Sequence, residues 1–60
     1  MFNKFKIGEF VLCLGVGKVS EKRILMYGFV LEKDYYYKDY CIRLENGKEE
    51  WFSERDIIKI

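Results

Sequence analysis

The dipeptide Asn46-Gly47 constrains the fold of this chain more than any other feature of its sequence. It lies between two short runs of alternating apolar and polar residues, 40–45 and 48–52. An Asn-Gly pair in such a setting favours a two-residue type I′ turn, because both residues accept a positive φ. The sequence therefore predicts an antiparallel hairpin here, and any fold assigned to the chain has to contain it.

Two further β-rich segments, 9–14 and 24–31, precede this hairpin. Both are rich in β-branched, aromatic and large aliphatic residues, and the polar residues 20–23 between them are typical of a turn. We expect a second hairpin, with a bulge or sharp bend at Gly15 and Gly17. An alternative interpretation makes Ser20 the N-cap of a short helix over 21–27.

The end of the chain fits two short elements. Residues 53–56 break the β pattern and favour a single 3-10 turn, and residues 57–60 favour a last short strand. A length of 60 residues limits the chain to one domain, over 1–60. The predicted fold class is therefore all-β, with five strands and a short 3-10 turn before the last strand.

Alternation along each strand predicts which side chains face the core. Tyr40, Ile42 and Leu44 share the apolar face of the third strand, so Cys41 is expected on the other face, pointing outward. The first two strands are apolar on both faces. One face of these strands must form the core, and the apolar character of the other face then needs a different explanation.

Charge and residue content argue against several classes of function. Eleven Lys and Arg against ten Asp and Glu give a net charge of +1, too little to hold the chain on nucleic acid or an anionic membrane by its overall field. Histidine is absent, and the two cysteines lack C-x-x-C spacing, so Ser-His or Cys-His nucleophiles and a four-ligand zinc site are not available. We expect no enzymatic activity, no cofactor and no metal.

Targeting signals are also missing from the sequence. No charged-then-apolar leader is present, and no apolar run approaches the roughly 18 residues of a spanning helix. We expect a cytoplasmic protein that does not associate with membranes.

Four short motifs follow one another along the chain. They are Phe5-x-x-Gly8-Glu9-x-Val11, Gly28-Phe29-Val30, Tyr40-x-Ile42-x-Leu44, and Trp51-Phe52 followed by Ile57. Their order resembles an SH3-like barrel of the Tudor, KOW and plasmid-type dihydrofolate reductase kind. The resemblance implies a five-stranded barrel in which Val11 and Cys13 face inward. Cys13 and Cys41 would then lie on opposite faces and could not form a disulfide, and Cys41 alone is expected to react with a thiol reagent.

The chain departs from these families at their functional positions. Ser53 stands where a peptide-binding SH3 domain carries a proline, and the turn over 20–23 holds no aromatic residue for a methyl-lysine cage. The Val-Gln-Ile-Tyr segment of the plasmid-type reductases is absent. The resemblance is therefore evidence for the fold, and an oligomeric reductase is only a remote alternative.

A cluster of tyrosines is the first candidate contact surface. Tyr35, Tyr36 and Tyr37 follow the second predicted strand, and three adjacent residues of a strand cannot all face one core. Tyrosine supplies rigid, amphipathic contact area at small entropic cost. We expect at least one exposed ring; the alternative is that Tyr35 and Tyr37 cap one end of the barrel. With Arg43 and Trp51, these tyrosines are the predicted contacts to a partner protein.

The second apolar face of the first hairpin is another candidate. Fully exposed, it would exceed the roughly few hundred Å² of continuous apolar surface that a monomer tolerates. We expect either a dimer or partner interface there, or burial by the bent hairpin itself. The face consists of Phe10, Leu12, Leu14, Leu25, Tyr27, Phe29 and Leu31, and the predicted interface is formed by Phe10, Leu12, Leu14, Tyr27 and Phe29.

Basic residues near the first predicted turn form a third candidate. Lys18, Lys22 and Arg23 lie within six positions of one another and are candidate contacts to phosphates. The alternative is that these side chains are simply solvated.

The leading prediction is a small non-enzymatic protein-binding module, a regulator or inhibitor that masks a larger protein. Of the 60 residues, 28 are Phe, Tyr, Met, Ile, Asn or Lys, which A/T-rich codons encode, and this bias is typical of low-GC bacteria, their plasmids and their phages. The alternative is a nucleic-acid-binding module of the KOW or Tudor type. Homo-oligomerisation is compatible with either function.

Overall fold

In the computed structural model, which describes residues 4–60, the chain forms one five-stranded antiparallel sheet. The order of the strands in the sheet is β4-β3-β2-β1-β5. The all-β class, the five strands and the 3-10 turn before the last strand are confirmed, whereas the alternative helix over 21–27 is wrong. The elements are β1 (Phe10–Val16), β2 (Arg23–Asp34), β3 (Asp39–Leu44), β4 (Glu49–Ser53), the 3-10 helix Glu54–Asp56 and β5 (Ile57–Lys59).

The core lies on one face of this sheet. Tyr40, Ile42 and Leu44 are buried in it as predicted, and so are Val11 and Cys13. The aromatic end of the core is fixed by a polar bond, since the Tyr40 hydroxyl accepts the Phe5 backbone N–H at 3.0 Å. The complete set of buried core residues is Phe5, Val11, Cys13, Val30, Tyr40, Ile42, Leu44, Phe52 and Ile57.

The sheet curls around this core. β1 and β4 are separated by two strands in the sheet order, yet the backbone N–H of Lys18, just after β1, donates to the carbonyl of Trp51 in β4 at 2.8 Å. Within residues 4–60, β4 and β5 stand at opposite ends of the order and no ladder joins them. The sheet is therefore strongly bent but not closed.

Of the bulge or sharp bend predicted at Gly15 and Gly17, the bulge is wrong. Pairing of β1 with β2 runs without a break from Phe10 opposite Phe29 to Val16 opposite Arg23. The two glycines instead leave space for side chains from other elements. A Cβ at Gly15 would overlap the side chain of Asp56, and one at Gly17 would overlap that of Glu50.

The register shift of the sheet lies in β2. Val30 pairs with Ile42, but the next pair is Glu32 with Cys41, so Leu31 is an extra residue. Such a bulge turns the residues after it to the opposite face from the one that simple alternation predicts. Leu31, which was predicted on the apolar face of the first hairpin, is the unpaired residue of this bulge and is half-buried.

The hairpin at Asn46-Gly47 is confirmed, but its type I′ turn is wrong. Gly47 has φ 87°, whereas Asn46 is not in the positive-φ region. Gly47 N–H donates to the Leu44 carbonyl at 2.8 Å, and Leu44 N–H donates to the Lys48 carbonyl at 2.8 Å. This is a three-residue loop with a left-handed glycine at its end. Asn46 acts through its side chain, because its Oδ1 accepts Lys48 N–H at 2.9 Å.

Cys41 lies on the face opposite the core, as predicted, but the prediction that it is accessible is wrong. Its exposed fraction is 4%. Its ladder neighbours are Glu32 and Trp51, and ladder neighbours stand side by side on one face. These large side chains shield the thiol, which alternation along β3 alone does not reveal. Both cysteines of the chain are free.

We expect both thiols of the folded protein to react slowly with dithiobis(nitrobenzoate) in mildly alkaline buffer. Burial raises the pKa of Cys13 to about 12. Burial, together with the charges of Glu49, Glu32 and Glu50, also raises the pKa of Cys41, so little reactive thiolate forms. Denaturant should release both thiols at once. Rapid labelling of Cys41 in the native state would show that Trp51 does not cover its thiol.

Candidate functional site

The sheet face turned away from the core carries a continuous apolar surface across β5, β1 and β2. Along the ladders, Phe10 lies opposite Phe29, and Leu14 lies opposite Leu25. Leu12 is half-buried, and every other member is between 43% and 65% exposed. The chain thus leaves this surface open instead of burying it. We call it the outer face, formed by Phe10, Leu12, Leu14, Val16, Leu25, Tyr27, Phe29 and Ile58.

Three aromatic rings form the centre of the outer face. Phe10 stacks on Tyr27 with ring centroids 5.5 Å apart and 11° between the planes, and Phe10 meets Phe29 at 5.0 Å. A groove of about 320 Å³ opens beside these rings, towards Arg43 and Gly47. Rings at these separations stabilise one another. The groove therefore exists before any ligand arrives.

Charged side chains border the outer face on β3 and β4. Arg43 is the ladder neighbour of Phe29, and its Nη2 lies 3.0 Å from Glu49 Oε2 in an exposed ion pair. Glu45 Oε2 accepts the Tyr27 backbone N–H at 3.2 Å. The predicted contact residue Arg43 thus belongs to the rim of the outer face. An apolar centre with a polar rim is the usual organisation of a protein interface.

The three tyrosines form a separate surface at the β2–β3 turn. Tyr35, Tyr36 and Tyr37 are 64%, 84% and 68% exposed, so the predicted exposure is confirmed and the capping alternative is wrong. Asp34 Oδ1 accepts Tyr36 N–H at 3.0 Å, and the rings of Tyr36 and Tyr37 meet edge to face at 4.7 Å. The fourth aromatic of this stretch, Tyr40, is in the core.

The three basic candidates do not act as one group. Lys18 Nζ lies 2.9 and 2.8 Å from the two carboxylate oxygens of Asp39, a residue that is only 7% exposed. Moving Lys18 to a phosphate would leave that buried carboxylate without its counterion, which is costly. Lys22 and Arg23 are exposed. Lys18 therefore holds the fold together, and only the other two are available to a ligand.

A buried carboxylate organises the β1–β2 turn. Glu50 is 3% exposed, and it accepts the backbone N–H of Val19 at 2.7 Å and that of Ser20 at 3.1 Å. Burial by itself raises the pKa of this carboxyl, but hydrogen bonds from the Ser20 side chain and from the backbone of Val19, Ser20 and Trp51 outweigh burial and hold the pKa below its ordinary value. Glu50 thus ties β4 to the turn.

Sequence reasoning missed Glu50, although a signal was present. Glu50 and Phe52 share one face of β4, and Phe52 is wholly buried. An acid that alternates with a core residue needs hydrogen-bond donors nearby. The polar turn over 17–22, with Gly17 next to the carboxylate, supplies them.

A second groove, of about 380 Å³, lies between the β1–β2 turn and the β3–β4 hairpin. We call it the turn groove. Ile24, Met26 and Leu44 contribute apolar surface to it, and Lys22, Arg23 and Lys48 contribute basic side chains. No aromatic residue lines it among residues 4–60. Its composition therefore differs clearly from that of the outer face.

Neither a metal centre nor a transmembrane helix is found in the described part of the chain. Residues 4–60 contain no group of three or more His, Cys, Asp or Glu side chains that could hold a metal ion. No helix formed by these residues has the length and apolarity needed to cross a membrane. Comparison with known protein families, curated proteins and solved structures found no match to this chain.

Replacing Glu50 with Gln should lower the free energy of unfolding at neutral pH by about 1–3 kcal/mol, because buried N–H groups of the turn lose a charged acceptor. The pKa of Glu50 is lower in the folded protein than the ordinary 4.5. Its contribution is therefore complete above that value and disappears as the pH falls through the folded pKa. Urea unfolding of wild type and variant across this range measures the difference.

The matched control for this experiment is Glu49→Gln. Glu49 is the exposed neighbour of Glu50 and pairs with Arg43 at the surface, so its replacement should change the free energy of unfolding by no more than about 1 kcal/mol. A Glu50→Gln effect that stayed constant down to strongly acidic pH would contradict the role assigned to the carboxylate.

Proposed function

We propose that this chain is a small non-enzymatic protein-binding module with an SH3-like barrel architecture, which masks an apolar surface of a larger protein. The observation that carries the proposal is the exposed outer face. Soluble proteins rarely leave a continuous apolar surface of this size open unless it is a contact site.

Three features of the fold support the SH3-like architecture. The sheet has five antiparallel strands, and the 3-10 helix Glu54–Asp56 precedes the last of them. The bond from Lys18 N–H to the Trp51 carbonyl brings the end of β1 against β4. The motif resemblance implies a five-stranded barrel, and a bent five-stranded sheet around one core supports this proposal.

The size of the outer face suits a stable contact. With side-chain areas of roughly 150–200 Å², the exposed fractions of its members amount to about 600 Å² of apolar surface. A standard interface buries about 800 Å² on each partner. The outer face and its rim of Arg43, Glu45 and Glu49 together reach that size.

The shape of the outer face favours a different protein over a second copy of this chain. The sheet curls around its core, so the opposite face is convex. Two convex faces meet over only part of their area, whereas a concave partner covers more of it. The aromatic groove beside Phe10 and Phe29 suits one apolar side chain of the partner.

The tyrosine turn and Trp51, which is half-buried in β4, extend this proposal. Tyr35, Tyr36 and Tyr37 are exposed, and Asp34 holds the turn that presents them. Exposed tyrosines on a fixed turn are typical contact residues. We propose them as a secondary contact that adds specificity to the outer face.

Phe29→Ser should weaken partner binding strongly while leaving the fold intact, because Phe29 is half exposed and lines the groove. We would select binders from a random peptide library with wild-type protein and map them by amide chemical shifts. Selected peptides should perturb β1 and β2 and bind Phe29→Ser at least about tenfold more weakly. The matched control is Ile7→Ser, which removes an exposed aliphatic residue outside the outer face and should leave binding unchanged.

Light scattering on the same proteins separates the two kinds of occupant. A monomeric wild type supports a different protein as the partner. A stable dimer that dissociates in the Phe29→Ser variant would show that a second copy of the chain, and not a different protein, occupies the outer face. Peptides that perturb only residues away from the outer face would overturn the proposal.

A further inference from the structure

The turn groove marks a place where the core of the protein is open. Ile24 and Met26 lie on the core face of β2, like Gly28 and Val30 further along the strand. Gly28 and Val30 are buried, whereas Ile24 and Met26 are only half-buried although they pack against the core cluster. The floor of the groove is thus core-type aliphatic surface that the chain itself does not cover.

Two lysines stand on rigid turns on either side of this floor. Lys22 N–H donates to Ser20 Oγ at 3.2 Å, and the Lys22 carbonyl accepts Gly17 N–H at 2.9 Å. Lys48 is bonded in the same way through its N–H to Asn46 and through its carbonyl to Leu44. Because both backbone groups of each lysine are fixed, the two lysine side chains start from defined positions on either side of the groove.

The acids that line the groove form no ion pair with these cations among residues 4–60. Glu50 is occupied by the backbone N–H groups of the β1–β2 turn, and Glu49 is paired with Arg43. Within residues 4–60, no ion pair involves Lys22, Arg23 or Lys48. The groove therefore combines an aliphatic floor with an excess of positive charge at its edges.

We propose that the turn groove is a second binding site, which takes an acidic peptide segment carrying an aliphatic side chain. The aliphatic side chain covers Ile24 and Met26, and the flanking carboxylates pair with Lys22 and Lys48. This site lies apart from the outer face and does not depend on the function proposed for it.

A peptide fits the groove better than a nucleic acid does. Binding to single-stranded nucleic acid relies on aromatic side chains that stack on the bases, and the described lining of the groove contains none. Lys18, which would extend the basic surface, is held by Asp39. The remaining chemistry, aliphatic contact and a few cations, matches carboxylate-flanked leucine or isoleucine.

The test uses a capped hexapeptide with two leucines flanked on each side by two glutamates, titrated into the full-length protein. Methyl resonances of Ile24 and Met26 report contact with the floor. We expect both to shift, and we expect the affinity to fall as salt is added. The same peptide with lysines in place of glutamates should produce no shift.

Charge-reversal variants locate the contact. The double variant Lys22→Glu and Lys48→Glu should weaken the glutamate peptide by about tenfold or more, with an amide spectrum that shows an intact fold. The control reverses the same number of charges at Lys6 and Arg55, which are exposed and do not line the groove. This control should bind as wild type does.

Three results would overturn the proposal. The methyl groups of Ile24 and Met26 fail to shift with the glutamate peptide, or the lysine peptide binds equally well. Alternatively, a hexathymidylate binds more tightly than the peptide and shifts the same methyl groups, which would assign the groove to nucleic acid.

Discussion

The fold depends on one buried carboxylate. Within residues 4–60, Glu50 forms no ion pair, and N–H dipoles of the β1–β2 turn compensate its charge. A carboxylate that accepts several backbone N–H groups satisfies donors that would otherwise be buried without partners. It joins β4 to the β1–β2 turn where no ladder does so. Lys18 and Asp39 form a second link, between the end of β1 and the start of β3, so the curl of the sheet is fixed by polar bonds as well as by the core.

This arrangement separates the molecule into two surfaces with different chemistry. The outer face is aromatic and broad, and its charged side chains lie at the rim, where Arg43 and Glu49 form an ion pair. The turn groove is narrow and aliphatic, and its cations lack partners within the described residues. Burial of apolar area stabilises contacts of the first kind, and their affinity depends weakly on salt. Contacts of the second kind gain more from charge, so the two sites are expected to respond differently to ionic strength.

Much of the fold could be predicted from alternation, because strands with one buried face show it directly. The type of the hairpin turn could not be predicted, because Asn46 does not adopt a positive φ. Its side chain accepts a backbone N–H of the loop instead. The glycines before the first turn indicated a bulge, but they are required by Asp56 and Glu50, which come from elements distant in sequence. Contacts of that kind leave no local pattern. For the same reason Ile58 could not be placed on the outer face before β5 was known to pair with β1.

The extra residue in β2 has a consequence for where the outer face ends. If β2 continued in register, Leu31 would follow Phe29 on that face and lengthen its apolar stripe. The bulge instead interrupts the ladder, and Glu32 is the next residue to stand beside β3. The acidic Glu32 therefore stands beside Cys41, at the position that Leu31 would occupy in an uninterrupted register. The end of the apolar outer face is therefore set by the register of the backbone, and gaining or losing a single residue in this stretch would change which side chain follows Phe29 beside β3.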